Sequence, residues 1–340
     1  MILTNFTANF EKKAMNNTPN LFHYATSELS QDAMFAWLIQ WADPRYRDND
    51  PQLNSVAQKF LRLVLGKDDD FAINYVDVGR QWCNIDLWAE VNDNTFLIIE
   101  DKVGTSIHDN QLERYRKTVE QEYAGKRDDL CYAYVKTENE PESTLRRIEK
   151  AGYLTVSRKD ILACLNEYKG DNDIMLDYRS HLQRLDDQTE SFRKLPVSKW
   201  GWYAWQGFYK ELETRLHIES WDYVANPAGG FLGIWWHFVS YGEGDMYLQI
   251  EQGNLCFKIS YDGERSYSSV RNEQHSRLMR TAKDENHPEI RRPNRFGSGQ
   301  YMTIAYISRE DVFGSGPVEI DAIVDKLKEY EELIDICCGQ

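Results

Sequence analysis

Residues 95–103 read TFLIIEDKV, and this run limits the possible folds more than any other stretch of the chain. Phe96, Leu97, Ile98 and Ile99 follow one another, so both faces of a strand built from them are apolar. Such a strand cannot lie at a surface. It belongs at the centre of a sheet with helices above and below. Three charged residues then follow at once. Glu100 and Lys102 are two apart and share one face, while Asp101 points the other way. Ionised groups at the end of a buried strand need partners, because charge is costly to take out of water.

The flanking sequence supplies the rest of a layered fold. From Ser27, a plausible N-cap, Leu29, Ala33, Phe35, Ala36, Trp37, Leu38 and Trp41 recur at helical spacing. The two prolines of DPRYRDNDPQ break that helix, and a second is expected over about Leu53–Leu65, ended by Gly66. Strands are expected at Phe71–Val78, Asn84–Val91 and Thr95–Val103, with a turn at Asn92–Asn94. A helix at Asp109–Tyr123, strands at Leu130–Lys136 and Tyr153–Ser157, and a helix from Arg158 complete the order α-α-β-β-β-α-β-β-α. This is an α/β fold, a mixed sheet between helices. A boundary is expected near Ser191–Ser198, dividing the chain into 1–192 and 196–340. The second part reads as an α+β domain. Helices are expected at Trp200–Leu216, Val270–Arg280 and Ile320–Ile336, and strands at Phe231–Ser240, Met246–Glu251, Leu255–Tyr261 and Tyr301–Ile307.

Asp86 lies on the strand before the central one. If the two form an antiparallel hairpin, Asp86 comes level with Glu100. Two carboxylates and a lysine then converge where an apolar strand ends. Phosphodiester hydrolysis calls for this set: a divalent cation neutralises the phosphate and activates water. Mg²⁺ takes one or two carboxylates and keeps several waters. A lysine beside it can orient or deprotonate the water, or stabilise developing charge.

Ile85-Asp86 followed by Ile99-Glu100-Asp101-Lys102 resembles the PD-(D/E)XK nuclease superfamily, whose restriction-endonuclease-like core is a three-layer α-β-β-β-α-β arrangement. The wording ELSQDAMFAWL and IIEDK…HDNQLERY is similar to uncharacterised bacterial nucleases of that superfamily. The resemblance spans roughly 27–165 and departs at Ile85, where the family's motif begins with proline. It implies Mg²⁺ or Mn²⁺ as cofactor, metal ligation by Asp86, Glu100 and Glu28, and catalytic parts for Asp86, Glu100, Lys102, Gln111 and Tyr115. Gln111 and Tyr115 are i, i+4 and share a helix face. His108 and Asp109 are expected to shape the start of that helix, Asp109 as N-cap. The implied partner is nucleic acid, DNA first, and the implied setting defence against foreign DNA or DNA processing, by association of fold with function. The alternatives are an inactive nuclease fold that still grips nucleic acid, and a protein-interaction module. Homo-oligomerisation stays open.

The net charge of −15 excludes a surface coated for nucleic acid, so any DNA contact must come from a local strip. The best is 271–295, with seven Lys/Arg against four Asp/Glu. Its Arg277, Arg280, Arg291, Arg292 and Arg295, with Tyr267 and Phe296, suit a phosphate backbone and stacked bases, although a solvated loop explains it equally. Arg146, Arg147 and Lys150 form a smaller cluster. The six cysteines show no metal or redox spacing and are expected as free thiols in a reducing cytoplasm. No apolar run is long enough to span a membrane.

Overall fold

A computed structural model describes residues 19–104, 110–226, 229–251 and 253–339. The expectations for His108 and Asp109 lie outside these residues. Helix α1 (Glu28–Trp41) starts where Ser27 Oγ accepts from the Ser30 N–H at 3.3 Å. Helix α2 (Pro51–Leu65) is capped by Asp50, carries Pro51 in its first turn and stops at Gly66 in the left-handed region. Strand β1 (Val76–Trp82) begins later than expected. The side chain of Asn92 holds Asn74 N–H and Ala72 C=O, so Phe71–Tyr75 wraps around it as irregular chain. Strand β1 instead runs on to a two-residue turn, Cys83-Asn84, with both residues at positive φ.

Strands β2 (Ile85–Val91) and β3 (Thr95–Lys102) follow, then α3 (Gln111–Tyr123) and β4 (Asp129–Lys136). Two helices around this sheet went unread in the sequence. The first is α4 (Glu142–Lys150), which precedes β5 (Leu154–Ser157) and α5 (Arg158–Leu165); the second is α6 (Asp173–Thr189). The sheet order is β1-β2-β3-β4-β5, antiparallel as far as β3 and parallel from β3 onward. Every residue of β3 is buried. Leu97 and Ile99 pack towards α1, α2, α5 and α6. Phe96 and Ile98 pack towards α3 and α4. Each of these side chains contributes about 1.5–3 kcal/mol by leaving water, which fixes β3 as the axis of a three-layer α/β core.

The chain continues through α7 (Trp202–Glu213) into a second sheet. Strand β6 (Ile218–Val224), absent from the sequence reading, forms one edge. Strands β7 (Phe231–Ser240), β8 (Asp245–Glu251) and β9 (Asn254–Ser260) follow, then α8 (Tyr267–Asp284), β10 (Tyr301–Ile307), α9 (Arg309–Phe313) and α10 (Ile320–Cys338). The order β10-β9-β8-β7-β6 is antiparallel throughout, with its own core from Phe192 to Cys337. The segment after β4 links the two sheets. Asn139 N–H donates to Gln206, Glu142 N–H donates to Glu213 at 2.8 Å, and the Ser143 and Ser220 hydroxyls meet at 2.9 Å. All six cysteines are free thiols, and among the described residues no helix is long and apolar enough to cross a membrane.

Candidate active site

The hairpin register puts Leu87 opposite Ile99, so the next pair is Asp86 and Glu100. Here β3 runs out of apolar residues, and Lys102 folds back over its end. Lys102 Nζ lies 2.6 Å from Glu100 Oε1, 3.7 Å from Asp86 Oδ2 and 3.8 Å from Glu28 Oε2. It also donates to the carbonyl of Asp101 at 3.2 Å. Glu28 reaches this point from the first turn of α1, where its Oε1 accepts from Val103 N–H. From the opposite layer, Gln111 Nε2 meets Glu100 Oε1 at 2.5 Å and Tyr115 Oη at 3.0 Å. The structure therefore gathers Glu28, Asp86, Glu100, Lys102, Gln111 and Tyr115 at one end of the central strand. Glu100 is 1% exposed, whereas Asp86 and Glu28 stay in contact with solvent and mark the open side.

The electrostatics follow from that burial. Desolvation raises the Glu100 carboxyl to about 7, with Lys102 opposing and Asp86 adding to the rise. Asp86 is raised for the same first reason. Burial pulls the Lys102 ammonium down, but Glu100, Asp86 and Glu28 together outweigh it and hold it above the ordinary lysine range.

One member of the cluster is new. Asp32, 1% exposed, stands one turn after Glu28 on α1. Oxygens of Asp32, Asp86 and Asp101 lie within 4.8 Å of one another. Asp101 does point away from Glu100, as its place in the strand requires, and accepts from Gln31 Nε2 at 2.9 Å. Burial, then Asp32, push its carboxyl up to about 10. The i, i+4 spacing of Glu28 and Asp32 was a sequence signal for this face.

Asp32, Asp86 and Asp101 are close enough to share a divalent cation, and neither Glu100 nor Glu28 belongs to that group. Both oxygens of Asp32, Oε2 of Glu100 and Oδ1 of Asp101 are buried without a hydrogen-bond donor. Hard cations satisfy such carboxylate oxygens. The expected strip Arg277, Arg280, Arg291, Arg292 and Arg295 is not brought to this centre. It lies on α8 and the segment leading to β10. Strand β10 is the edge of the second sheet opposite β6, the strand that touches α4, about 19 Å away across four strand spacings. There Arg291 pairs with Asp311 at 2.9 Å, and Arg271 and Arg292 flank the Phe296 ring.

A helix-flanked mixed sheet with a carboxylate-lysine cluster at the end of its central strand defines a nuclease-type architecture. A model of the PD-(D/E)XK nuclease superfamily matches residues 19–186. The chain belongs to that superfamily through this region, which contains the whole first sheet and all the gathered side chains. No curated protein matches the chain. Among solved structures it is similar to X-Pro aminopeptidase from Thermotoga maritima at 12% identity and a TM-score of 0.14. That match covers 58% of this chain and 60% of the other, less than two thirds of its length, and carries no argument.

Proposed function

We propose that the protein is a metal-dependent nuclease that hydrolyses phosphodiester bonds, DNA foremost, using Mg²⁺ or Mn²⁺. The observation that carries this reading is the buried Lys102 ammonium 2.6 Å from Glu100 beside carboxylate oxygens that have no donor. Asp86 and Glu100 would hold the cation, with Glu28 at the open side and Asp32 and Asp101 behind. Once bound, the cation supplies charge neutralisation of the phosphate and activation of water. Lys102, surrounded by carboxylates, keeps its proton. That suits it to orient a phosphate oxygen and stabilise developing negative charge rather than to abstract a proton. Gln111 holds Glu100 by one oxygen and is itself held by Tyr115. These two fix the carboxylate's orientation and so limit the rearrangement needed at the transition state. Residues 1–192 would form the nuclease domain and 196–340 a domain that selects substrate.

The test is cleavage of linear and circular duplex DNA, single-stranded DNA and RNA with Mg²⁺ or Mn²⁺, beside Lys102→Ala. Metal-dependent cutting by the wild type and a loss of at least about a hundredfold in the variant are expected. A wild type that cuts nothing and whose affinity for Mn²⁺ is unchanged by Asp86→Ala refutes the site.

A further inference from the structure

We infer that Trp202 and Tyr223 form a stacking platform for an unpaired nucleobase beside the carboxylate centre, and that the substrate therefore presents single-stranded or frayed nucleotides there. This rests on the nuclease reading and extends it to the class of substrate. Both rings belong to the second sheet's unit, and Trp202 reaches the first through Glu138. Trp202 opens α7, and its indole N–H donates to Glu138 Oε2 at 3.2 Å. Tyr203 Oη and Gln206 Nε2 donate to the same carboxylate. Glu138 in turn lies against Gly104, where a Cβ would meet its Oε1 at 3.2 Å. Gly104 is two residues past Lys102, about 7 Å of extended chain.

The rings are large and they are open. Trp202 is 41% exposed and Tyr223 50% exposed, at a centroid separation of 6.2 Å. Their neighbours Trp200 and Phe208 are buried in the core of the second sheet, so the exposure is local to this pair. They are also braced. The Tyr223 hydroxyl donates to the Gly229 carbonyl, and its ring lies so close over Gly230 that a Cβ there would strike the hydroxyl oxygen. An aromatic face already fixed in place costs little further entropy when a base stacks on it.

The surroundings supply the matching charge. Strand β6, which carries Tyr223, touches α4 through Ser220 and Ser143. Beside that contact is a cavity of about 400 Å³ whose wall includes Arg146, Arg147, Lys150 and His217. Three carboxylates also line it: Glu142, paired with Lys210 and Arg146 at 3.5 Å each, Glu213, paired with Lys210 at 2.9 Å, and Glu219, so Arg147 and Lys150 are the cations left for a phosphate. Cations for a phosphate backbone and aromatic faces for bases are the two components of single-strand binding. Here both border the β4–α4 segment that also touches the end of the candidate site.

Binding by the full chain carrying Lys102→Ala, with Mg²⁺ present, tests the platform without cleavage. The probes are a labelled oligothymidylate about 12 nucleotides long and an abasic strand of equal length, read by anisotropy. Adding Trp202→Ala should weaken oligothymidylate binding about tenfold and leave the abasic strand unchanged. Trp202→Phe, which keeps a stacking face, should stay within about twofold of the parent, and Tyr223→Ala should weaken only the thymidylate. Equal losses on both probes, or none on either, overturn the platform. If the Lys102→Ala protein binds neither probe while the wild type still cuts circular duplex, the platform alone fails. If the wild type also cuts nothing, the nuclease reading fails with it.

Discussion

Glu100→Gln should stabilise the metal-free protein above neutral pH while removing its proposed activity. The buried carboxyl is raised to about 7 from 4.5 for a free glutamate. A folded value above the unfolded one means that its contribution to stability is fully present below pH 4.5 and is lost as pH rises through 7. At about 1.36 kcal/mol per unit, the ionised carboxylate at pH 8 costs about 3 kcal/mol relative to a neutral group. Glutamine is that neutral group at nearly the same volume. Its amide oxygen can still accept from Lys102 and Gln111, which both meet Oε1 in the wild type. With about 2–4 °C per kcal/mol for a domain of this size, the variant should melt roughly 6–12 °C higher at pH 8 in chelator. At pH 5 the gap should fall below about 1 kcal/mol, because the wild-type carboxyl is then protonated in the fold. Thermal melts at the two pH values, with and without Mg²⁺, read this directly. A variant that melts at or below the wild type at pH 8 would refute the reasoning.

Asp101→Asn should leave the unfolding free energy in chelator within about 1 kcal/mol of wild type across pH 6–8, because Asp101, raised to about 10, is already neutral there; a larger loss in urea melts would show it ionised. Glu140→Ala removes a carboxylate, 6% exposed, that lies 2.9 Å from Lys136 Nζ and accepts from Tyr134 Oη. Urea unfolding should register a cost of about 3–5 kcal/mol. His181 is lowered to about 4 by burial first, then by Arg184 and His23. A histidine lowered in the fold takes up protons on unfolding between pH 6.5 and 4, so stability should fall by roughly 2–3 kcal/mol across that window. In His181→Gln that part of the acid sensitivity should be missing from the urea midpoints.

The centre of the molecule was legible because β3 announces itself. Phe96–Ile99 allows only a covered strand, and the three charged residues mark its end. The hairpin partner followed from the Asn92–Asn94 turn, and with it Asp86 opposite Glu100. Elements that bury little of themselves were missed. In α4 only Ile148 is fully buried, and β6 is an edge strand in which only Trp221 is, so neither shows a clear period. Helix α6 was hidden by its charged outer face (DYRSHLQRLDDQ), although Met175, Tyr178, Leu182 and Leu185 keep helical spacing. Asp32 was passed over because a carboxylate in the second turn of a helix reads as solvated. Only the approach of α1 to the strand end makes it part of the cluster. The place of Trp202 on Glu138 depends on how the second sheet docks, which no local pattern encodes.

The change of strand direction at β3 also sets an order of assembly. Antiparallel pairing with β2 closes a loop of about three residues, 92–94, whereas parallel pairing with β4 must close about 26, residues 103–128. Loop entropy alone favours the first by about 2 kcal/mol. Substitutions at Leu87 should accordingly slow folding more, per unit of stability lost, than substitutions at Val156, as stopped-flow refolding would show. On a chain emerging from the ribosome, Asp86 and Glu100 are therefore drawn together before the crossover helix that seals them exists, and they lose their water only when it arrives.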